Sequence, residues 1–257
     1  MIERLPRGLR RWLRARQHRH RLQWPRRGSM DFGGLRRLTP VSRVVGFDRG
    51  LPIDRYYIER FLAAHADDIG GHVLEIGDDR YTRAFGGARV TRSDVLHVVG
   101  GNPKATIVAD LTRADEVPSD TFDCIVCTQT LQMILDVEAA LRHLARMLKP
   151  SGVLLATASG INRICRREGI DPWGEYWRFT TQSTRRLFAR VFPPARVTAI
   201  AYGNVLAAVA FLHGLAAEEL SREELDHDDP DFEVLVAVRA VKPEGRGAAM
   251  ADPAGAS

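Results

Sequence analysis

Cysteine is scarce in this chain of 257 residues: Cys124, Cys127 and Cys165 are all it has. Three cannot build a disulfide framework, and their scarcity fits a reducing compartment. Cys124 and Cys127 form a Cys-x-x-Cys pair, but side chains three apart on a strand point to opposite faces. Both are therefore expected as small core residues rather than metal or redox ligands. Long apolar runs are also missing. The best stretch, residues 205–215, is interrupted by His213 and Gly214 and falls short of the roughly 18 residues a membrane span needs. No N-terminal segment has the apolar centre of a signal peptide, so the expected location is cytoplasmic. No cluster of His, Asp and Glu suggests a metal. Lysine is rare, limited to Lys104, Lys149 and Lys242 against a large excess of arginine, which reads as coding bias with little functional weight.

Acid is nearly absent from the first 30 residues. Glu3 stands there against ten arginines, a net +9, so the remainder carries −4 of the chain's +5. The basic character belongs to this arm, and overall charge alone does not point to a nucleic-acid partner; none is expected. Leu5, Leu9, Trp12 and Leu13 fall on one helical face amid arginines. That pattern suits a basic helix lying on the inner, anionic membrane surface, or else a disordered extension. Met30 follows Gly28-Ser29 and is an alternative natural start. Residues 243–257 are rich in Gly, Ala and Pro and are expected to be disordered. Between them, residues 31–242 form one domain, large enough for a sizeable core at 45% apolar content.

The most informative stretch is Val73-Leu74-Glu75-Ile76-Gly77-Asp78-Asp79, an apolar strand running into acid and a glycine turn. Asp94 and Asp110 follow at strand-like intervals. Strands are expected near 73–77, 89–94, 104–109, 122–128, 152–158, 195–202 and 231–241, and helices over 54–66 and 137–148. Asp136 can cap the second helix, and Pro150 with Gly152 can stop it. Right-handed crossovers give a doubly wound α/β sheet whose carboxyl edge binds ligands. Three acid-ended strands there favour a cationic, hydroxyl-rich ligand such as S-adenosylmethionine: a sulfonium, an ammonium, a ribose diol and an adenine amine.

Residues 73–157 resemble the core of a class I S-adenosylmethionine-dependent methyltransferase, of the bacterial small-molecule, type 11-like kind. Glu75-Ile-Gly77 resembles the donor-binding motif, Asp94 the ribose-binding acid after the second strand, and Ala109-Asp110-Leu111 the adenine-contacting segment. Residues 121–127 resemble the fourth strand. Leu148-Lys149-Pro150-Ser151-Gly152 resembles the helix-turn-strand signature before the fifth. The resemblance implies a Rossmann-like seven-stranded sheet with an antiparallel last strand. It also implies Glu75, Gly77, Asp78, Asp94, Asp110, Leu111, Thr128 and Gln129 as donor-binding residues. The chain departs from the family in one place: Gly77 is alone where two or three glycines are usual, which leaves open a non-catalytic member with weakened or lost donor binding. The same turn argues against a dinucleotide, because Asp78 and Asp79 would repel a pyrophosphate; capping the next helix is their other reading.

The acceptor is expected above the fourth and fifth strands. Residues 128–132 emerge there, as does the long excursion 158–181, which holds Trp173, Tyr176, Trp177 and Arg178 and is either a lid or a loop anchored on the core. Trp177 and Arg178 are expected to shape the acceptor wall, with Tyr57 also substrate-binding; the resemblance implies that the N-terminal element covers the donor, which makes Arg49, Tyr56 and Tyr57 candidate pocket residues. The Asn/Asp-Pro-Pro-Tyr segment of DNA and protein-amide methylating enzymes is missing, so a small-molecule or sugar hydroxyl is the expected acceptor. A hydroxyl needs a base, for which Asp171, Glu175 and His213 are candidates. Oligomeric state is open.

Overall fold

The computed structural model describes residues 6–20, 28–164 and 174–244. The chain divides into two compact units, Met1–Pro40 and Val41–Ser257.

The first unit holds helix α1 (Arg7–His20), which has no acid in its first turn. Leu9 and Trp12 are exposed on it, and the Arg16 guanidinium lies over the Trp12 ring at 5.4 Å, a cation–π contact. A short turn, Gly33–Leu35, follows. Leu5 lies outside the described residues.

The second unit is built on seven strands: β1 (Gly71–Ile76), β2 (Val90–His97), β3 (Ile107–Val108), β4 (Phe122–Thr128), β5 (Leu148–Ser159), β6 (Val197–Tyr202) and β7 (Leu235–Val241). Their order is β3-β2-β1-β4-β5-β7-β6. β7 runs antiparallel to both β5 and β6, and the other pairings are parallel. The sheet is the expected Rossmann-like one with an antiparallel last strand. Its switch point lies between β1 and β4, where connections leave in opposite directions and open a crevice at the carboxyl edge.

Each face of the sheet carries its own core. On one face α3 (Val137–Met147) and α4 (Thr181–Phe188) bury Leu141, Leu144 and Phe188 against Leu74, Ile125 and Leu154. On the other, α2 (Ile53–Ala64) and α5 (Val205–His213) bury Ile58, Phe61 and Phe211 against Val73, Val126 and Leu155. Each such side chain contributes roughly 1.5–3 kcal/mol. Cys127 sits in the first core and Cys124 in the second, on opposite faces of β4 as their spacing requires. Burial pushes both thiols upward, Cys127 to about 12, so neither is a thiolate at neutral pH.

Several boundaries differ from the sequence expectation: β3 is only Ile107–Val108 and β7 begins at Leu235, and two further differences bear on the site and the helix end. β2 continues to His97 rather than ending at Asp94. Pro150 and Gly152 do not form a turn after α3. They lie within β5, whose pairing with β4 shifts between Phe122 and Cys124, and Ser151 takes φ +63° at that irregularity. A bulge accommodates a proline that a regular central strand would not. Asp136 caps α3 as expected, accepting from the Ala139 N–H at 2.9 Å.

Candidate functional site

A cavity of about 360 Å³ opens at the carboxyl edge of β1, β2 and β3, lined by Gly77, His97, Asp110, Leu111, Met133 and Tyr176 among others. That volume is in the range of small-molecule sites. Gly77 turns the chain at φ +89°, and a Cβ placed there would meet nothing within 4 Å. The residue is glycine for its left-handed backbone and stands against open space. Its carbonyl accepts from the Asn102 side chain at 2.8 Å, so Asn102 fixes the turn from outside β1. The Asp110 carboxylate accepts from the Thr112 N–H at 2.9 Å and its hydroxyl at 2.8 Å. These bonds, the backbone one first, outweigh burial and hold Asp110 below the usual carboxylate range. It stays ionised beside the cavity.

Strand register decides the place of Asp94. Ile76 pairs with Leu96, and Leu74 with Asp94. The β2 residue that reaches the edge beside Gly77 is therefore His97, which lines the cavity and has Nδ1 2.9 Å from the Val99 carbonyl oxygen. Asp94 lies inside the strand. Its carboxylate bonds His72 Nε2 at 2.6 Å and pairs with Arg92 at 3.2 Å. Burial alone would raise its pKa, but bonds from His72 and Thr106 outweigh that and lower it. Asp94, expected as the ribose-binding acid, is buried and does not line the cavity.

Glu75 is likewise absent from the cavity lining. It is buried, and its two carboxylate oxygens accept from the Tyr81 N–H at 3.1 Å and the Thr82 N–H at 2.7 Å. It ties the segment after β1 back to the strand, satisfying N–H groups that would otherwise be orphaned. Burial pushes its pKa above the ordinary range despite those bonds. Asp78 does not line the cavity either. Its carboxylate accepts from the backbone of Asp79 and Arg80 and from Lys104 Nζ at 2.7 Å. Lys104 also bonds Asp79 at 3.0 Å, and Arg83 pairs with Asp79 as well. The two aspartates are therefore neutralised, and the charge repulsion that the sequence alone implies does not operate.

A second cavity, of about 410 Å³, shares Met133 with the first. It is lined by polar groups from several elements, including Asp54 from the first turn of α2, Gln129 from the end of β4, and Gln132 and Asn162 from the loops beyond. Gln129 sits at φ +49°, a backbone conformation uncommon for a side-chain-bearing residue and one that gathers at functional sites. Its Oε1 accepts from Gln132 Nε2 at 2.6 Å and from the Ser159 hydroxyl at 2.8 Å, and Ser159 Oγ accepts from Asn162 Nδ2 at 3.2 Å. Gln129, expected among the donor-binding residues, thus belongs to this cavity. Thr128 lines neither; its carbonyl accepts from the Thr130 hydroxyl.

Several expected pocket residues have partners outside the two cavities. Tyr57 is fully buried, stacks on Tyr202 at 5.8 Å and donates to the Leu225 carbonyl. Tyr56 donates to Asp226, and Arg49 pairs with Glu219. Trp177 lines neither cavity; its indole N–H donates to the Ile134 carbonyl at 2.9 Å. Arg178 pairs with Glu175 at 2.6 Å and donates to the Arg163 carbonyl at 2.8 Å, bracing the loop, and it borders a third cavity with Thr181 and Glu233. The loop serves both sites: Glu175 lines the second cavity and Tyr176 the first. His213, at the end of α5, lines neither. Asp171 and Trp173 lie outside the described residues. Among the described residues no group of His, Cys, Asp and Glu could hold a metal, and no helix is long and apolar enough to cross a membrane.

Residues 38–193 match the family model described as a methyltransferase domain. No curated protein matches the chain. Among solved structures it is similar to an S-adenosylmethionine-dependent methyltransferase from Archaeoglobus fulgidus, at 12% identity and TM-score 0.49 over 73% of this chain and 94% of that one. It is also similar to one from Mesorhizobium loti, at 16% identity and TM-score 0.47 over 74% of this chain and 98% of that one. A third likeness is to the [4+2]-cyclase SpnF, at 16% identity and TM-score 0.47 over 77% and 84% of the two chains.

Proposed function

The chain belongs to the methyltransferase domain family, a class I family whose methyl donor is S-adenosylmethionine, and on that premise we propose that it methylates a hydroxyl of a small-molecule or sugar acceptor. The observation that carries the donor assignment is the first cavity, with Gly77, His97 and Asp110 on the carboxyl ends of three adjacent strands. These residues fit the donor. Asp110, held ionised, would accept from the adenine amine, and Leu111 would give the base an apolar wall. His97 would face the ribose hydroxyls in place of an acid. Gly77 leaves room for the donor to pass close to the backbone, so a single glycine suffices where the family uses more.

The bound donor supplies a methyl carbon already activated by its sulfonium. What remains for the protein is positioning, exclusion of water and handling of one proton. The two cavities share Met133, which supports a reading in which the acceptor binds beside the donor at the switch point. Calorimetric titration with S-adenosylmethionine and its demethylated product tests the donor assignment. Micromolar binding of both is expected; no heat from either at millimolar ligand would overturn it. For α1, we propose contact with an anionic lipid surface through its arginines. The full chain should sediment with anionic vesicles and a chain starting at Met30 should not, and salt should release the full chain.

A further inference from the structure

The second cavity holds an unusual number of unanswered polar atoms. Asp54 Oδ1, Gln132 Oε1, Asn162 Oδ1, Gln129 Nε2 and Arg163 Nε are all buried without a hydrogen-bond partner, and all five residues line this one cavity. Buried polar groups are otherwise almost always paired, so such a concentration calls for an explanation. The amide chain accounts for three of the five. Gln129 spends its oxygen on Gln132 and Ser159, Gln132 spends its nitrogen on Gln129, and Asn162 spends its nitrogen on Ser159. Each amide is thereby locked in orientation, with its other end turned loose. The loose ends are of both kinds: three acceptors and two donors.

That mixture selects a ligand chemistry. A phosphate or carboxylate offers acceptors only and would leave three oxygens unanswered. An ammonium offers donors only and would leave Gln129 and Arg163 unanswered. A hydroxyl does both. Asp54 adds a second consideration. It is buried, and its neighbour Arg55 directs its guanidinium to the Tyr81 hydroxyl at 3.3 Å. Glu175, the other carboxylate of the cavity, is already paired with Arg178.

We propose that this cavity binds an uncharged polyhydroxyl ring, and that Asp54 is the base that takes the proton from the hydroxyl being methylated. This rests on the methyltransferase reading above. As Asp54 Oδ1 accepts the proton, the hydroxyl oxygen forms the new carbon–oxygen bond. The methyl–sulfur bond breaks with its electron pair left on sulfur, and the products are a methyl ether, the neutral thioether and a protonated Asp54 that returns its proton to solvent. Burial, opposed by Arg55 and the first-turn N–H groups, raises the Asp54 pKa above the ordinary carboxylate range, which brings it nearer to the working pH of a general base. Arg43, Arg55, Arg163 and Glu175 are the other charged groups lining the same space.

The test uses the full chain loaded with the demethylated donor product. Saturation-transfer NMR is run against methyl α-D-glucopyranoside, methyl α-D-mannopyranoside and methyl α-L-rhamnopyranoside, with glucose 6-phosphate, ethanolamine and catechol as competitors. At least one neutral glycoside should bind and should be methylated when S-adenosylmethionine replaces the product. Gln132→Met should weaken that binding at least tenfold. Asp54→Asn, which keeps an acceptor oxygen and the helix start, should leave glycoside affinity within about threefold yet slow methylation by roughly 100-fold or more. Absence of glycoside binding in a chain that binds the donor product would overturn the proposal, as would preference for a charged competitor or for catechol. Full activity of Asp54→Asn would remove the base. Failure of the donor product itself to bind would overturn the donor reading instead.

Discussion

Glu75 offers the sharpest test of how the donor turn is built. Replacing it with alanine removes two acceptors at once and leaves the Tyr81 and Thr82 N–H groups buried and unanswered. Each orphaned donor costs about 1–3 kcal/mol, so the full loss is about 2–6 kcal/mol. One effect opposes it. Burial raises the Glu75 pKa, so keeping the carboxylate ionised at neutral pH already costs the wild type some stability, and alanine removes that burden. The net at pH 7 should fall in the lower half of the range. For a domain of this size each kcal/mol moves Tm by roughly 2–4 °C, which puts the expected drop at roughly 4–16 °C by scanning calorimetry.

The pH dependence discriminates further. A carboxyl whose folded pKa is raised contributes stability that is complete below its unfolded pKa and is lost as pH rises through the folded value. Wild type should therefore gain on Glu75→Ala as pH falls from 8 toward 4.5. Glu75→Gln keeps one acceptor and no charge, so it should show a smaller drop, while its gap to wild type should carry the same pH dependence, because in both comparisons only the wild type titrates at this position. An alanine variant with unchanged Tm would refute the clamp. A gap that widens with rising pH would show that the ionised carboxylate is stabilised by its two N–H bonds more than burial penalises it.

Other expectations follow from where the side chains fall. Asp94→Ala should lower stability by about 1–3 kcal/mol, since it strips a buried partner from His72, yet leave affinity for the demethylated donor within about 0.5 kcal/mol; His97→Ala should do the reverse, and calorimetry on both settles which residue faces the ribose. Gly77→Val should fold but lose donor binding, because its branched side chain would enter the cavity from a left-handed backbone; normal titration would mean the donor does not pass this turn. Trp177→Ala should weaken donor binding a few-fold, because the indole holds Ile134, a wall of the first cavity, with a bond worth about 1 kcal/mol; an unchanged Kd would confine Trp177 to anchoring the loop.

The fold was legible because its signals are local. Apolar strands ending in Gly77, Asp110 and Thr128, a capped amphipathic helix from Val137, and a buried final strand each announce themselves within a few residues. The donor edge was legible only in part. Gly77, Asp110 and Leu111 line the cavity as the motif implies, but Asp94 does not, because of the length of its strand. The sequence Val90 to His97 is continuous strand, and nothing local says that it runs three residues past its acid. Only pairing with β1 shows that His97, not Asp94, stands level with Gly77. Glu75 carries the motif but does not line the cavity, since its partners are backbone N–H groups that no sequence pattern displays.

The second cavity, proposed above as the acceptor site, was the least legible. Aromatic residues drew attention to Tyr57 and Trp177, yet one is core and the other a strut. The cavity is instead made by amides and a carboxylate from positions 54, 129, 132 and 162, which no motif unites. Asp54 reads locally as a helix-start acid, and Gln129 as the residue after a strand. Their common property, a polar atom left over once the protein's own hydrogen bonds are made, exists only after folding. That leftover is also what a specific site needs. A site built to hydrogen-bond a hydroxyl rejects an analogue lacking it far more strongly than an apolar pocket rejects a missing methylene, because the protein's buried atoms would stay unpaired. Selectivity here should therefore follow hydroxyl pattern rather than ring hydrophobicity: among glycosides that bind, removing one hydroxyl should cost more affinity than adding one methyl group.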